Sequence, residues 1–259
     1  LNPLQCLLLL FALLCIACEN NVSDTLPAPE RVRLISKVND TTEVSLGIER
    51  GIDAENPPNT VPGNETPNGI YLQWERVNGE ILRYDIFRRA DNPNGDFQLI
   101  DAVFTETELN DTSYFDSAVL EVDKTYYYSV RAVNRDDVAG EQALPDYYTL
   151  LPKPSLRYPT VESQQYNASF SWVLGGLAET YFIFRLEKLG VREYVPYIAF
   201  LRDITGNIQA EQHWTLQQMA QDSTYVLSPG SYRWRIDVRK LDDIRRGAES
   251  NWGFFRVLP

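Results

Sequence analysis

The chain has 259 residues, 44% of them apolar and 12% aromatic, which suffices for two ordinary domains with packed cores and argues against a disordered chain. Its formal charge of −12 lies wholly beyond residue 18 and repels phosphate backbones, so nucleic acid is excluded as a partner. All three cysteines, Cys6, Cys15 and Cys18, fall in the first 18 residues. The rest of the chain therefore folds without disulfides and offers no thiol nucleophile or thiolate metal ligand.

Leu7 to Ala17 is an unbroken run of eleven apolar residues. As a helix it would span about 16 Å at roughly 1.5 Å per residue. That is short of a bilayer core of about 30 Å and matches the apolar region of a signal peptide. The run closes on Cys15-Ile16-Ala17-Cys18, before the polar Glu19-Asn20-Asn21. This closure resembles the bacterial lipobox. The resemblance implies that residues 1–18 are a lipoprotein signal peptide and that Cys18 is acylated and becomes the mature amino terminus. It further implies anchoring to a membrane of the bacterial cell envelope, at the outer membrane or cell surface. An ordinary cleaved signal and an uncleaved anchor are the alternatives. Residues 19–29 are polar, carry two prolines and read as a flexible tether.

The body reads as two all-β domains, 30–151 and 155–259. In the first, strands are predicted at Arg31–Ser36, Gly69–Glu75, Leu82–Ala90, Phe97–Phe104, Tyr114–Asp116, Thr125–Asn134 and Tyr147–Leu151. Residues 38–68, rich in Asn, Pro and Glu, read as a long mobile loop. Pro152-Lys153-Pro154 forms a short stiff linker. In the second domain, strands are predicted at Ala168–Val173, Thr180–Lys188, Thr224–Leu227, Gly230–Lys240 and Asn251–Val257. An insertion, 190–222, interrupts it. Within that insertion Ala210–Gln221 has helix-forming composition, with Trp214, Leu216 and Met219 able to pack on the domain.

An internal repeat runs through these strands. Tyr84-Asp85-Ile86-Phe87-Arg88 parallels Tyr181-Phe182-Ile183-Phe184-Arg185, preceded by Trp74 ten residues earlier and Trp172 nine earlier. Tyr126, Tyr128, Val130 and Ala132 parallel Tyr232, Trp234, Ile236 and Val238. Alternate residues of a strand share one face, so both series demand burial against a second sheet. The intervening Arg233, Arg235, Asp237 and Arg239 read as a solvated face.

The set resembles the fibronectin type III family. Leu120 to Tyr126 has the family's spacing ahead of its sixth strand, with Val122 in place of proline. Ala132-Val133-Asn134 matches that strand's end, and Leu227-Ser228-Pro229-Gly230-Ser231-Tyr232 keeps the Pro-Gly, one residue shorter. The resemblance implies two tandem immunoglobulin-like sandwiches over about residues 28–259; the short helical insertion in the second, read from composition, departs from the family pattern. It gives Trp74, Tyr84, Tyr126, Trp172, Tyr181 and Tyr232 structural roles. Tyr126 and Tyr232 would each form a tyrosine corner, the hydroxyl bonding back to backbone.

Catalytic chemistry finds little support. His213 is the lone histidine, has no G-x-S-x-G context and reads as packing. No His/Cys cluster or phosphate loop is present, so no metal or cofactor is expected. Asp136-Asp137 and Asp242-Asp243 mark two loops near strand ends, as turn chemistry or as contacts for calcium or a basic partner. Trp214, Tyr147, Tyr148, Tyr194 and Tyr197 are candidates for an exposed aromatic platform. The expectation is a non-catalytic, lipid-anchored binding or spacer module with a protein or glycan partner. The alternative is a glycan-binding accessory lipoprotein of a surface uptake system.

Overall fold

A computed structural model describes residues 25–37, 51–57, 67–105, 111–161, 166–167, 169–173, 180–190, 199–202, 211–220 and 222–259. Its regular structure is almost entirely β. The first sandwich sets β1 (Asp53–Glu55), β2 (Gly69–Gln73) and β5 (Ser113–Asp116), in the order β1-β2-β5, against a second layer. That layer is β3 (Ile81–Ala90), β4 (Gln98–Phe104), β6 (Thr125–Asn134) and β7 (Asp146–Leu150), in the order β4-β3-β6-β7. The leading segment joins the first layer through a Leu34–Trp74 bridge. One apolar core fills the space between, with Ile70, Leu72 and Trp74 from one side and Tyr84, Ile86, Tyr128 and Val130 from the other.

The second sandwich repeats the plan. β8 (Ser155–Tyr158), β9 (Ser169–Val173) and β12 (Gln212–Thr215) form one layer. The other comprises β10 (Thr180–Lys188), β11 (Ala199–Arg202), β13 (Gly230–Lys240), β14 (Arg246–Glu249) and β15 (Gly253–Val257). Its core is aromatic. Phe170 lies edge-on to Phe184 and Trp234, each with ring centroids 4.8 Å apart. Burying each such ring contributes on the order of 1.5–3 kcal/mol. The alternating residues of β6 and β13 (Tyr126, Tyr128, Val130, Ala132; Tyr232, Trp234, Ile236, Val238) are all buried. Both tyrosine corners form. Tyr126 Oη accepts from the Glu121 N–H at 2.9 Å, and Tyr232 Oη donates to the Ser228 carbonyl at 2.8 Å.

Four readings of the sequence are corrected. Residues 38–68 are not one open loop. Ile52 and Ala54 are buried and β1 lies among them, because Asp53–Glu55 pairs with Gly69–Tyr71. Residues 38–50 and 58–66 lie outside the described residues. Ala210–Gln221 is not one helix. Gln212–Thr215 pairs with β9, and only Leu216–Ala220 is helical, as α1. Thr215 starts α1 as a capping box: its hydroxyl accepts from Gln218 N, and Gln218 Oε1 accepts from Thr215 N at 2.8 Å. Thr224–Leu227 is turn and coil rather than strand, since Asp222 accepts from both the N–H and the hydroxyl of Thr224.

The fourth correction concerns Tyr181. It pairs with Arg239 on the outer face and is half-buried, while Phe182, Phe184 and Leu186 point inward. The inward counterpart of Tyr84 is Phe182, which like Tyr84 follows its tryptophan by ten residues. A one-residue slip in a strand exchanges its faces, and aligning the two Tyr-x-x-Phe-Arg runs made that slip.

The larger layers of the two sandwiches form one continuous nine-stranded sheet, in the order β11-β10-β13-β14-β7-β6-β3-β4 with β15 beside β13. The seam is a parallel pairing of β14 with β7, Arg246 opposite Thr149 and Gly247 opposite Leu150. Because β13 is antiparallel to β14 and β6 to β7, β13 and β6 run the same way. The start of β14 meets the end of β7, so the sandwiches follow one another in line and in one orientation.

Candidate functional site

The seam gathers the least expected chemistry of the chain. Arg235, Asp237 and Arg239 point away from the second core, yet all three are buried rather than solvated, as is Glu249. Part of the cover is the first sandwich, whose β1 lies against β14. Charges removed from water need partners. Arg235 makes a two-pronged pair with Glu249, at 2.7 and 2.5 Å, and a second pair with Asp237 at 2.8 Å. Asp237 is also ion-paired with Arg185 at 2.7 Å. Glu55 of the first sandwich lies 3.9 Å from the Arg235 guanidinium.

Two asparagines of the first sandwich clasp this network. Asn56 Nδ2 donates to the Ser250 carbonyl at 2.9 Å, and its Oδ1 accepts Lys153 Nζ at 2.6 Å. Asn68 Oδ1 accepts the Glu249 N–H at 3.0 Å, while its amide approaches Asn56 Oδ1 at 3.3 Å. Beside the clasp, Lys37 is ion-paired with Asp53, which also accepts the Tyr148 hydroxyl at 2.8 Å. The space among Lys37, Asp53, Tyr148, Asp237, Arg239 and Glu249 amounts to about 10 Å³, roughly enough for one water.

Backbone and ring contacts close the rest. Thr149 N donates to the Arg245 carbonyl and Leu151 N to the Gly247 carbonyl, at 2.9 and 2.8 Å. Leu151, which ends the first sandwich, packs in the core of the second. A Cβ at Gly247 would lie 2.5 Å from Tyr148 Oη and 2.6 Å from the Val238 carbonyl, so only glycine lets these strands meet. Arg245 pairs with Asp146 at 3.0 Å and lies 5.1 Å over the Tyr147 ring.

The residues singled out in the sequence are scattered. Trp74, Tyr84, Tyr126, Trp172 and Tyr232 are buried in the two cores. Tyr148 is buried in the seam, and Tyr147 is half-covered between Arg245 and Tyr127, its ring tilted 44° to the latter. Trp214 is half-buried on β12 against the second core. These three do not assemble into one platform, because each ring is spent on packing; Tyr194 and Tyr197 lie outside the described residues. Asp136 Oδ2 accepts Leu26 N at 2.6 Å, and Asp137 pairs with Arg83 at 2.8 Å. Asp243 caps its own turn by accepting Arg245 N at 2.9 Å, and Asp242 is exposed. Among the described residues no group of three or more His, Cys, Asp or Glu side chains is placed to hold a metal. His213 is exposed at the sandwich surface, and Cys18 lies outside the described residues.

Asn56, Asn68, Lys153 and Gly247 escaped the sequence reading. The one available hint was the alternation of acid and base along Arg233 to Arg239, with Glu249 downstream, which suits a side-chain ladder as well as a solvated face.

Burial also perturbs the tyrosines. The Tyr128 hydroxyl donates to Asp116 at 2.8 Å, and desolvation, reinforced by that carboxylate's charge, raises it well above the ordinary phenol value. Desolvation likewise raises Tyr84, and pushes Tyr166 up to about 12.

No protein-family model matches the chain, and no curated protein matches its sequence. Solved structures similar to it include the FN1-FN3 domains of chicken CNTN1, at 12% identity and a TM-score of 0.28, over 89% of this chain and 66% of that one. This chain thus spans just under two thirds of the CNTN1 segment. A two-domain fibronectin type III segment of chicken tenascin is similar at 13% identity and a TM-score of 0.26, over 79% of this chain and 97% of that one. The sandwich architecture stands on strand order, burial and the two tyrosine corners.

Proposed function

We propose that the protein is a non-catalytic, lipid-anchored envelope protein in which two fibronectin-type-III-like sandwiches, 30–151 and 155–259, act as one stiff binding or spacer arm. Cys18 is the acylated residue and the mature amino terminus, residues 1–17 are removed, and 19–29 tether the arm to the membrane. The seam carries this reading. A sheet running unbroken from one sandwich into the next, clasped by Asn56 and Asn68, opposes bending between them.

The direction of the arm follows from the first described residues. Asn134 Nδ2 donates to the carbonyls of Leu26 and Pro27, and Asp136 holds Leu26 N. The tether therefore enters at the β6–β7 loop end of the first sandwich, and the second sandwich continues from the opposite end. Two ten-residue strands in line, at about 3.3 Å per residue, give a reach of roughly 65 Å. No helix among the described residues is long and apolar enough to cross a membrane. Two or three acyl chains at about 0.8 kcal/mol per buried methylene would hold the arm firmly.

Cell fractionation tests the anchor. Cys18→Ser is expected to move the protein from the membrane to the soluble fraction and to abolish incorporation of labelled palmitate. Unchanged membrane association of that variant would refute it.

A further inference from the structure

A groove of about 330 Å³ lies beside the seam, between the edge strand β8 and the bend from β14 to β15. Lys153, Leu156, Arg157, Thr160, Asn251 and Trp252 line it, and among the described residues no acidic side chain does. In a chain of net charge −12 this is a local cationic surface. Arg157 is exposed and makes no ion pair among the described residues. Trp252 is half-buried and braced, with the guanidinium carbons of Arg233 and Arg235 at 4.1 and 4.9 Å from its ring centre. Those cations are themselves balanced, Arg233 by Glu187 and Arg235 by Glu249 and Asp237. The indole is therefore a fixed apolar wall. Among the described residues, the uncompensated charge of the groove sits on its rim, at Arg157.

β8 is an edge strand, but it is guarded against accepting another strand. Pro154 and Pro159 flank it, and its ladder with β9 shifts register between Leu156 and Tyr158. An extended peptide adding by main-chain bonds is thus disfavoured. A compact ligand read by side chains fits better: one flat apolar face for the indole and one carboxylate for the rim.

We propose that this groove binds an acidic saccharide, a carboxylated pyranose unit stacked on Trp252 with its carboxylate on Arg157. This deepens the reading of the protein as a binding arm and rests on it. It also moves the aromatic contact from Trp214, Tyr147 and Tyr148 to an indole at the seam.

The test is an equilibrium titration of the full chain with trigalacturonate, followed by tryptophan fluorescence, beside galactotriose and hexaglutamate. The expected result is saturable, salt-weakened binding of trigalacturonate, at least tenfold tighter than galactotriose. Arg157→Glu should lower that affinity at least tenfold and leave the circular dichroism spectrum and unfolding midpoint unchanged. Trp252→Leu should lower it too. Absence of saturable trigalacturonate binding, or equal binding by Arg157→Glu, overturns the proposal. Hexaglutamate binding as tightly as trigalacturonate overturns it in favour of an acidic peptide. A stiff arm that partitions through Cys18 but binds no acidic saccharide would leave the proposed function standing and remove the groove alone.

Discussion

Asn56→Leu should loosen the arm without unfolding either sandwich. In the native protein the Asn56 amide donates to the Ser250 carbonyl at 2.9 Å and accepts Lys153 Nζ at 2.6 Å. Ser250 is fully buried, so leucine leaves its carbonyl without that donor, at a cost of about 1–3 kcal/mol. Lys153 is only half-buried and can turn to water, so its loss adds about 0–1 kcal/mol. The sum, about 1–4 kcal/mol, falls on the docking of the sandwiches, because neither core contains Asn56. At about 1.4 kcal/mol per tenfold, docking weakens by roughly 5- to 700-fold. The body has no cysteine after Cys18, so Leu99→Cys and Val226→Cys, at exposed positions on different sandwiches, accept spin labels cleanly in a chain beginning at Glu19. Pulsed dipolar spectroscopy should give one narrow distance for the parent protein and a broadened or second component for Asn56→Leu. Asn94→Ala, in an exposed turn, should change nothing. An unaltered distance distribution, with a stability change below about 0.5 kcal/mol, would show that the clasp does not hold the seam.

Other outcomes follow from the same contacts. Gly247→Val should disrupt the seam more severely than Asn56→Leu, since even a Cβ there lies 2.5 Å from Tyr148 Oη; small-angle scattering would register the change in maximum dimension. Tyr126→Phe and Tyr232→Phe each remove one corner hydrogen bond and should cost about 0.5–1.5 kcal/mol in urea unfolding, with little change in m-value. Alkaline titration followed by phenolate absorbance should show Tyr84, Tyr128 and Tyr166 ionising late. Their folded values lie above the ordinary value of 10, so the neutral forms support folding fully below pH 10, and that support is lost as pH rises, for Tyr166 through about 12. In denaturant the tyrosines should titrate together near 10; native titration without a late group would contradict the burial described.

The alternation of Tyr126, Tyr128, Val130 and Ala132 was legible because strand geometry acts on neighbours two residues apart, and the same holds for β13. Both tyrosine corners were legible as well, since the hydroxyl reaches back only five or four residues. Tyr181 was misread because matching letters cannot establish a face when one residue of slip reverses it. Strands β8, β12 and β14 went unpredicted because each is four residues long and takes its conformation from the partner it pairs with.

Local spacing by itself determined that this chain makes two β-sandwiches with aromatic interiors and no crosslinks. It could not determine how they meet. Asn56 bonds to a carbonyl 194 positions away, and Asn68 to an N–H 181 positions away. Such pairings leave no periodic trace, because hydrogen-bonding groups far apart in the chain are brought together only by the packing of whole sheets. The same packing turned a row of charges on β13 from solvated surface into a buried junction, since a strand's outer face is wet or dry according to what tertiary structure lays across it.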